Sequence, residues 1–237
     1  MAKEQRTYSE QLLLDWPVNE KFAQADFLPS HSNEEAVRWI DAWPDWKRGD
    51  ESFHCLIVYG PDGCGKTHLA HVWKDMSNAV VLKLAQLPDL DFMSGDNFVF
   101  VIEDVDQCIG NSQFEENLFH LYNWVKEQGG FLLLTARKRP KLWSLTLADL
   151  SSRLLASEAV QIKAPDDNLI KAILIKQFSD RQIKLTEDVI NYILPRTERS
   201  FEAVRRLVKS IDRISLIEKK KITTSVVRRV LEKQGED

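Results

Sequence analysis

The 237-residue sequence is poor in several features, and each shortage excludes a class of protein. No apolar run approaches the ~18 residues of a membrane-spanning helix, and the amino terminus lacks the basic-then-apolar order of a secretory signal. Cysteine is scarce: Cys55, Cys64 and Cys108 are odd in number and none stands in CxxC spacing. Neither a disulfide framework nor a zinc site is indicated, which fits a reducing compartment and a cytoplasmic protein with no membrane partner. There is no internal repeat and no low-complexity stretch. Excess positive charge is missing too, since the net charge of −4 argues against a general nucleic-acid binder. That total hides an asymmetry. Residues 1–163 carry 16 basic and 24 acidic groups, whereas 164–237 carry 16 basic and 12 acidic. The basic residues of the tail, including KKK at 219–221 and arginine pairs at 205–206 and 228–229, read as solvated helix faces.

What is present is a regular alternation. FHCLIVYG (53–60), AVVLKLA (79–85), FVFVIEDVD (98–106), FLLLTAR (131–137) and AVQIKAP (159–165) read as five buried strands. Helical patterns lie between them, from Lys66 onward and over 114–130, the latter ending at Gly129-Gly130. Strands that are apolar throughout and alternate with helices predict an α/β fold with a five-stranded parallel sheet covered on both faces. After Pro165 the strands stop and four helical segments follow, several opening on capping residues: Asp166, Thr186 and Ser200. The expected organisation is a leader at 1–20, an α/β base at 21–164 and a helical lid at 165–237. Trp39, Trp43 and Trp46 are assigned to core packing or to a face toward a bound base.

GPDGCGKT (Gly60, Pro61, Asp62, Gly63, Cys64, Gly65, Lys66, Thr67) matches the phosphate-loop pattern G-x-x-x-x-G-K-[ST], directly after a strand and opening into a helix with His68 next. The glycines let backbone N–H groups curl around phosphates, and the helix N-terminus adds partial positive charge. Lys66 would reach the β- and γ-phosphates and the Thr67 hydroxyl would take Mg²⁺. The acidic end of the third strand supplies Glu103, placed to contact the metal through water, and Asp104, placed to orient or activate the attacking water. Glutamate at the first of these places is one methylene longer than the usual aspartate, so nucleotide binding is a firmer expectation than turnover.

With these motifs in order, the chain resembles the AAA+ P-loop ATPases, in the branch of the bacterial replication initiator DnaA. FLPSHSNEEA (27–36), GPDGCGKT, VIEDVD, LLLTARKRP, ADLSSRLLAS and RSFEAVRRLVKSIDR carry the resemblance, from about residue 18 onward. It implies an adenine nucleotide, ATP or ADP, with Mg²⁺, and a first sensor at Thr135 with Arg137 nearby. It also implies that Arg153, in SSRL, is an arginine finger that points to the nucleotide of a neighbouring subunit and meets charge developing on the transferred phosphoryl group. Two departures stand out. Where the family's second sensor has an arginine, this chain has Glu202, with Arg205 and Arg206 one turn on, which suggests a preference for the diphosphate and weak intrinsic hydrolysis. Only twelve residues (86–97) separate the second and third strands, too few for the initiators' single-strand-gripping element, and the duplex-binding C-terminal domain is expected to be absent.

One short stretch lies outside this frame. QLLLDW (Gln11 to Trp16) is an apolar cluster in a polar leader and must either tuck into the fold or be held out for a partner. It resembles the peptide with which bacterial replication proteins bind the sliding clamp. Gln11, Leu12, Leu14 and Trp16 would enter the clamp groove, and Pro17 would stop a helix from running on. Joined to a DnaA-like module, such a leader implies a negative regulator of initiation whose partners are the clamp and DnaA, and which meets DNA mainly through the clamp. Head-to-tail contact through Arg153 and pairing through the leader are both routes to a homo-oligomer. The alternative is an ATP-driven helicase loader or remodelling ATPase with its own turnover; a plain DNA-binding accessory factor using the basic lid is a third.

Overall fold

A computed structural model of the chain describes residues 28–48, 51–52, 54–84, 98–218 and 221–234. The segment Gln11 to Trp16 lies outside the described residues, as does the 86–97 connection. Helix α1 (Glu34–Asp41) precedes a two-residue-a-side antiparallel hairpin, β1 (Lys47–Arg48) and β2 (Glu51–Ser52). That hairpin is too short to leave an alternating pattern, and the sequence gives no sign of it. The main sheet is built from β3 (Cys55–Tyr59), β4 (Val80–Leu82), β5 (Val99–Ile102), β6 (Phe131–Ala136) and β7 (Glu158–Gln161). Its spatial order is β4-β5-β6-β3-β7 and every pairing is parallel.

Alternation along the strands sorts the core into two layers. Leu56, Val58, Val101 and Leu133 point to one face, against Leu69, Ala70, Val72 and Trp73 of α2 (Lys66–Ser77). Ile57, Phe100, Ile102 and Leu134 point to the other. There they meet Leu118, Leu121 and Val125 of α3 (Ser112–Glu127) and Leu150 and Leu154 of α4 (Ala148–Ala156). Both faces are therefore dry, which is why the strands read as unbroken apolar runs. Trp46 is buried and stacks on Trp73 at 5.4 Å, so the tryptophan cluster belongs largely to the α2-side core.

After β7 come α5 (Asp167–Asp180), α6 (Glu187–Ile193), α7 (Phe201–Glu218) and α8 (Thr224–Gln234). They enclose a separate apolar cluster that includes Leu174, Phe178, Ile193, Val204, Val208 and Val227. The Asp166 carboxylate accepts from Leu169 N–H and the Ser200 hydroxyl from Ala203 N–H, so both cap the following helix. Thr186 stands at the N-cap of α6, yet its side chain makes no capping bond. No helix among the described residues is long and apolar enough to cross a membrane.

Candidate functional site

The loop after β3 is tied down at its root. Gly60 N–H donates to the Ala136 carbonyl at the end of β6, continuing the parallel ladder by one bond. Beyond it Gly63 and Gly65 have φ of +69° and +104°, the left-handed region that side chains with a Cβ avoid. Gly65 then stands at the N-cap of α2 with no side chain between the loop and the helix's first N–H groups. Cys64 is buried, and burial pushes its thiol up against the pull of the Lys66 ammonium. Pro61, Asp62 and Thr67 are exposed, and His68 is half-buried in the first turn of α2.

Lys66 is 7% exposed, and its ammonium donates to the carbonyls of Gly60 at 2.9 Å and Pro61 at 3.0 Å. Two of its three donors are thus spent on the loop itself. A buried ammonium beside an open turn of N–H groups and a helix N-terminus fits an anionic, phosphate-bearing ligand. Glu103 and Asp104 follow β5 directly. Glu103 Oε1 lies 3.6 Å from His71 Nε2 on α2. Asp104 adopts φ +53°, and its N–H donates to the Thr135 hydroxyl oxygen at 2.9 Å. Thr135, 1% exposed on β6, keeps its own hydroxyl proton for another acceptor. The acid pair and Thr135 are therefore joined by a direct bond between neighbouring strands. Among the described residues no cluster of three or more His, Cys, Asp or Glu forms a metal cage. A divalent ion held through phosphate oxygens, the Thr67 hydroxyl and water needs no such cage.

Arg153 stands elsewhere. It projects from α4 on the sheet face opposite α2, and its guanidinium carbon lies 5.1 Å from the Phe119 ring centroid and 5.8 Å from that of Tyr122, both on α3. Burial pushes the Tyr122 phenol up, so the ring is neutral and the contact is cation–π in kind. The helix that carries Arg153 is pinned by a residue the sequence reading passed over. Glu115 is 0% exposed, and its carboxylate accepts from Gly110 N–H, Thr146 N–H, the Thr146 hydroxyl and Leu147 N–H, at 2.7–2.8 Å. Nothing local signals this, because the partners in the 146–147 turn lie 31 and 32 residues away.

The lid reaches the phosphate loop at Gly63. Phe201 N–H donates to the Gly63 carbonyl at 2.9 Å, and a Cβ on Gly63 would stand 2.6 Å from Ser200 Cβ. Gly63→Ala should therefore push α7 off the loop as well as straining its own backbone, costing about 1–3 kcal/mol. A fall in melting temperature together with at least tenfold weaker nucleotide binding would show both effects; an unchanged affinity would mean that lid contact and loop geometry are independent. Glu202, the next lid residue, faces Arg206 at 3.5 Å.

Comparison with known proteins adds the lineage. Residues 166–231 match the family model described as Hda, lid domain. An uncharacterized Haemophilus influenzae protein is 26% identical over 191 residues, covering 74% of this chain and 80% of its own length. The DnaA of Buchnera aphidicola is 23% identical over 247 residues; the match takes in 94% of this chain but 55% of the initiator, so the chain spans about half the length of such relatives. Domain III of Thermotoga maritima DnaA superposes with a TM-score of 0.78 at 18% identity, covering 92% of this chain and 98% of that one. AMPPCP-bound DnaA from Aquifex aeolicus gives 0.73 at 17% identity, with 92% and 71% covered. Parallel sheet, phosphate loop and helical lid agree with these likenesses: the chain has the fold of DnaA domain III, is similar in sequence to DnaA proteins, and matches the Hda lid family over residues 166–231.

Proposed function

We propose that this protein is a nucleotide-bound regulator that switches DnaA off. In this reading it holds an adenine nucleotide with Mg²⁺ at Gly60 to Thr67, is tethered to the DNA-loaded sliding clamp through Gln11, Leu12, Leu14 and Trp16, and presents Arg153 to the ATP of a neighbouring DnaA. Glu103 and Thr67 would hold the metal, and Asp104 and Thr135 would face the end of the phosphate chain. The bound nucleotide supplies the charge that orders the loop and lid; hydrolysis takes place on the partner.

The observation that carries this reading is the placement of Arg153. It sits on the α3–α4 face, across the sheet from the helix that follows the chain's own phosphate loop. A guanidinium there is arranged to serve a nucleotide other than its own. The Hda-type lid and the DnaA relatives make an initiator-like subunit the fitting neighbour.

The test is hydrolysis of DnaA-bound ATP with DNA-loaded clamp present. Wild type should stimulate it, and a variant with Gln11, Leu12 and Leu14 changed to alanine should lose the dependence on clamp and most of the effect. Absence of stimulation, with turnover by this protein alone, would instead establish the loader or remodelling reading.

A further inference from the structure

We propose that His71 joins Thr67 and Glu103 in the metal site of the nucleotide, and that its imidazole turns the site from Mg²⁺ toward a first-row transition ion, with Mn²⁺ the one of matching geometry. This rests on the reading of Gly60 to Thr67 as a nucleotide cradle. It is independent of the regulatory role.

Thr67 and His71 stand four residues apart on α2, so their side chains share one face of the helix, a turn apart. Glu103 follows β5, and its Oε1 lies 3.6 Å from His71 Nε2. That span is longer than a hydrogen bond. Two donors bonded at ~2.1 Å to one ion stand about 3.0–3.4 Å apart, according to the angle between them, so a small closure brings both onto a common ion. Their side chains are 33% and 24% exposed and Thr67 is exposed, so all three are within reach of a ligand from solvent. Asp62, the carboxylate of the loop itself, is paired instead with Arg137, Nε to Oδ1 at 3.1 Å. The acid that faces α2 is Glu103, and an aspartate there would stop one methylene short of His71. The departure from the usual aspartate at this place and the histidine on α2 therefore belong together.

The donor set is a hydroxyl, a carboxylate and an imidazole. Mg²⁺ selects oxygen, sheds its waters reluctantly and gains little from a ring nitrogen. Affinity for mixed nitrogen and oxygen donors rises along the first-row series from Mn²⁺ onward. Mn²⁺ keeps the octahedral arrangement that suits phosphate oxygens and the Thr67 hydroxyl, and it accepts a nitrogen within it. One imidazole and one carboxylate make no cage alone, so the ion enters with the phosphates rather than before them.

Calorimetric titration of the full chain with ADP in Mg²⁺ or in Mn²⁺, together with pulsed EPR of the Mn²⁺ complex, tests this. Wild type should bind Mn²⁺-ADP at least about tenfold more tightly than Mg²⁺-ADP, the scale on which groups around a metal alter its affinity. His71→Leu should bring that ratio to within about threefold, chiefly by loss with Mn²⁺. His71→Gln keeps a polar side chain on α2 without a ring nitrogen and should do the same, which separates the effect from damage to the helix. The EPR reading is direct: wild type should show nitrogen modulation from a bound imidazole, and both variants should lack it. A ratio that the variants do not move, or a nitrogen signal absent from wild type or retained in the variants, would overturn the proposal. Mn²⁺ that binds as tightly without ADP as with it would also overturn it, by placing the ion in a separate site. A wild type that binds ADP with neither ion would remove the cradle reading itself, whereas ADP binding indifferent to the ion removes His71 alone.

Discussion

Arg153→Ala is expected to lower stimulation of DnaA hydrolysis by ~10³-fold or more, the scale on which an arginine supplied in trans acts in phosphoryl transfer. Its own nucleotide affinity should stay within about twofold, because α4 and α2 pack on opposite faces of the sheet. The structure adds a reason for expecting so large a loss. The guanidinium is half-buried over Phe119 and Tyr122, so its rotamer is restricted before any partner arrives. A preplaced charge does not have to be ordered in the transition state, and its removal forfeits that ordering as well as the charge. Losing the ring contacts costs about 1 kcal/mol of stability. For a domain of this size that lowers the melting temperature by roughly 2–4 °C, too little to explain loss of activity. Arg153→Lys discriminates further: it keeps the charge but not the planar fork, so stimulation should fall well below wild type. Single-turnover hydrolysis of DnaA-bound ATP on clamp-loaded DNA is the measurement. A lysine variant as active as wild type would reduce the residue to a point charge, and an active alanine variant would remove it from the chemistry.

The fold was legible because its signals are local. Five apolar runs of strand length, a glycine-rich turn opening a helix, and a chain that becomes helical after Pro165 required no knowledge of tertiary contacts. The phosphate loop was legible for the same reason, since its eight residues carry their own geometry. What escaped depends on neighbours distant in sequence. Asp62 and Arg137 are 75 positions apart, and Gly63 meets Ser200 from the other end of the chain. Glu115 lies in α3 and reads as one more acidic residue on a helical stretch, although the folded chain seals it completely. A carboxylate that caps a distant turn has no periodicity to betray it. The same limit applies to Arg153: the motif singles it out as a candidate, whereas its contacts with Phe119 and Tyr122 come only from the packing of α3 on α4.

Glu115→Ala should be the most damaging single substitution for stability, by about 4 kcal/mol, near the top of the range for point changes. It would leave the N–H groups of Gly110, Thr146 and Leu147 and the Thr146 hydroxyl without their carboxylate acceptor. Each donor that water does not reach costs ~1–3 kcal/mol, and entry of water beside the exposed Gly110 and Thr146 lowers the total. A drop in melting temperature of roughly 10 °C follows for a chain of this length. The pH dependence identifies the cause. Burial alone would raise the carboxyl pKa, but hydrogen bonds from the Thr146 hydroxyl and from the Gly110, Leu147 and Thr146 amides outweigh it and hold the group below its ordinary value. A depressed pKa contributes stability that is fully present above the unfolded value, about 4.3 for glutamate, and is lost as pH falls through the folded one. The gap between wild type and Glu115→Ala should thus be constant through neutral pH and narrow only in acid, in urea melts taken along a pH series. A gap independent of pH down to full protonation would assign the loss to packing rather than to the ionised carboxylate. The turn that Glu115 holds includes Leu147, the N-cap of α4, and that helix positions Arg153. Stimulation of DnaA should accordingly fall in this variant even at temperatures where its fold is intact.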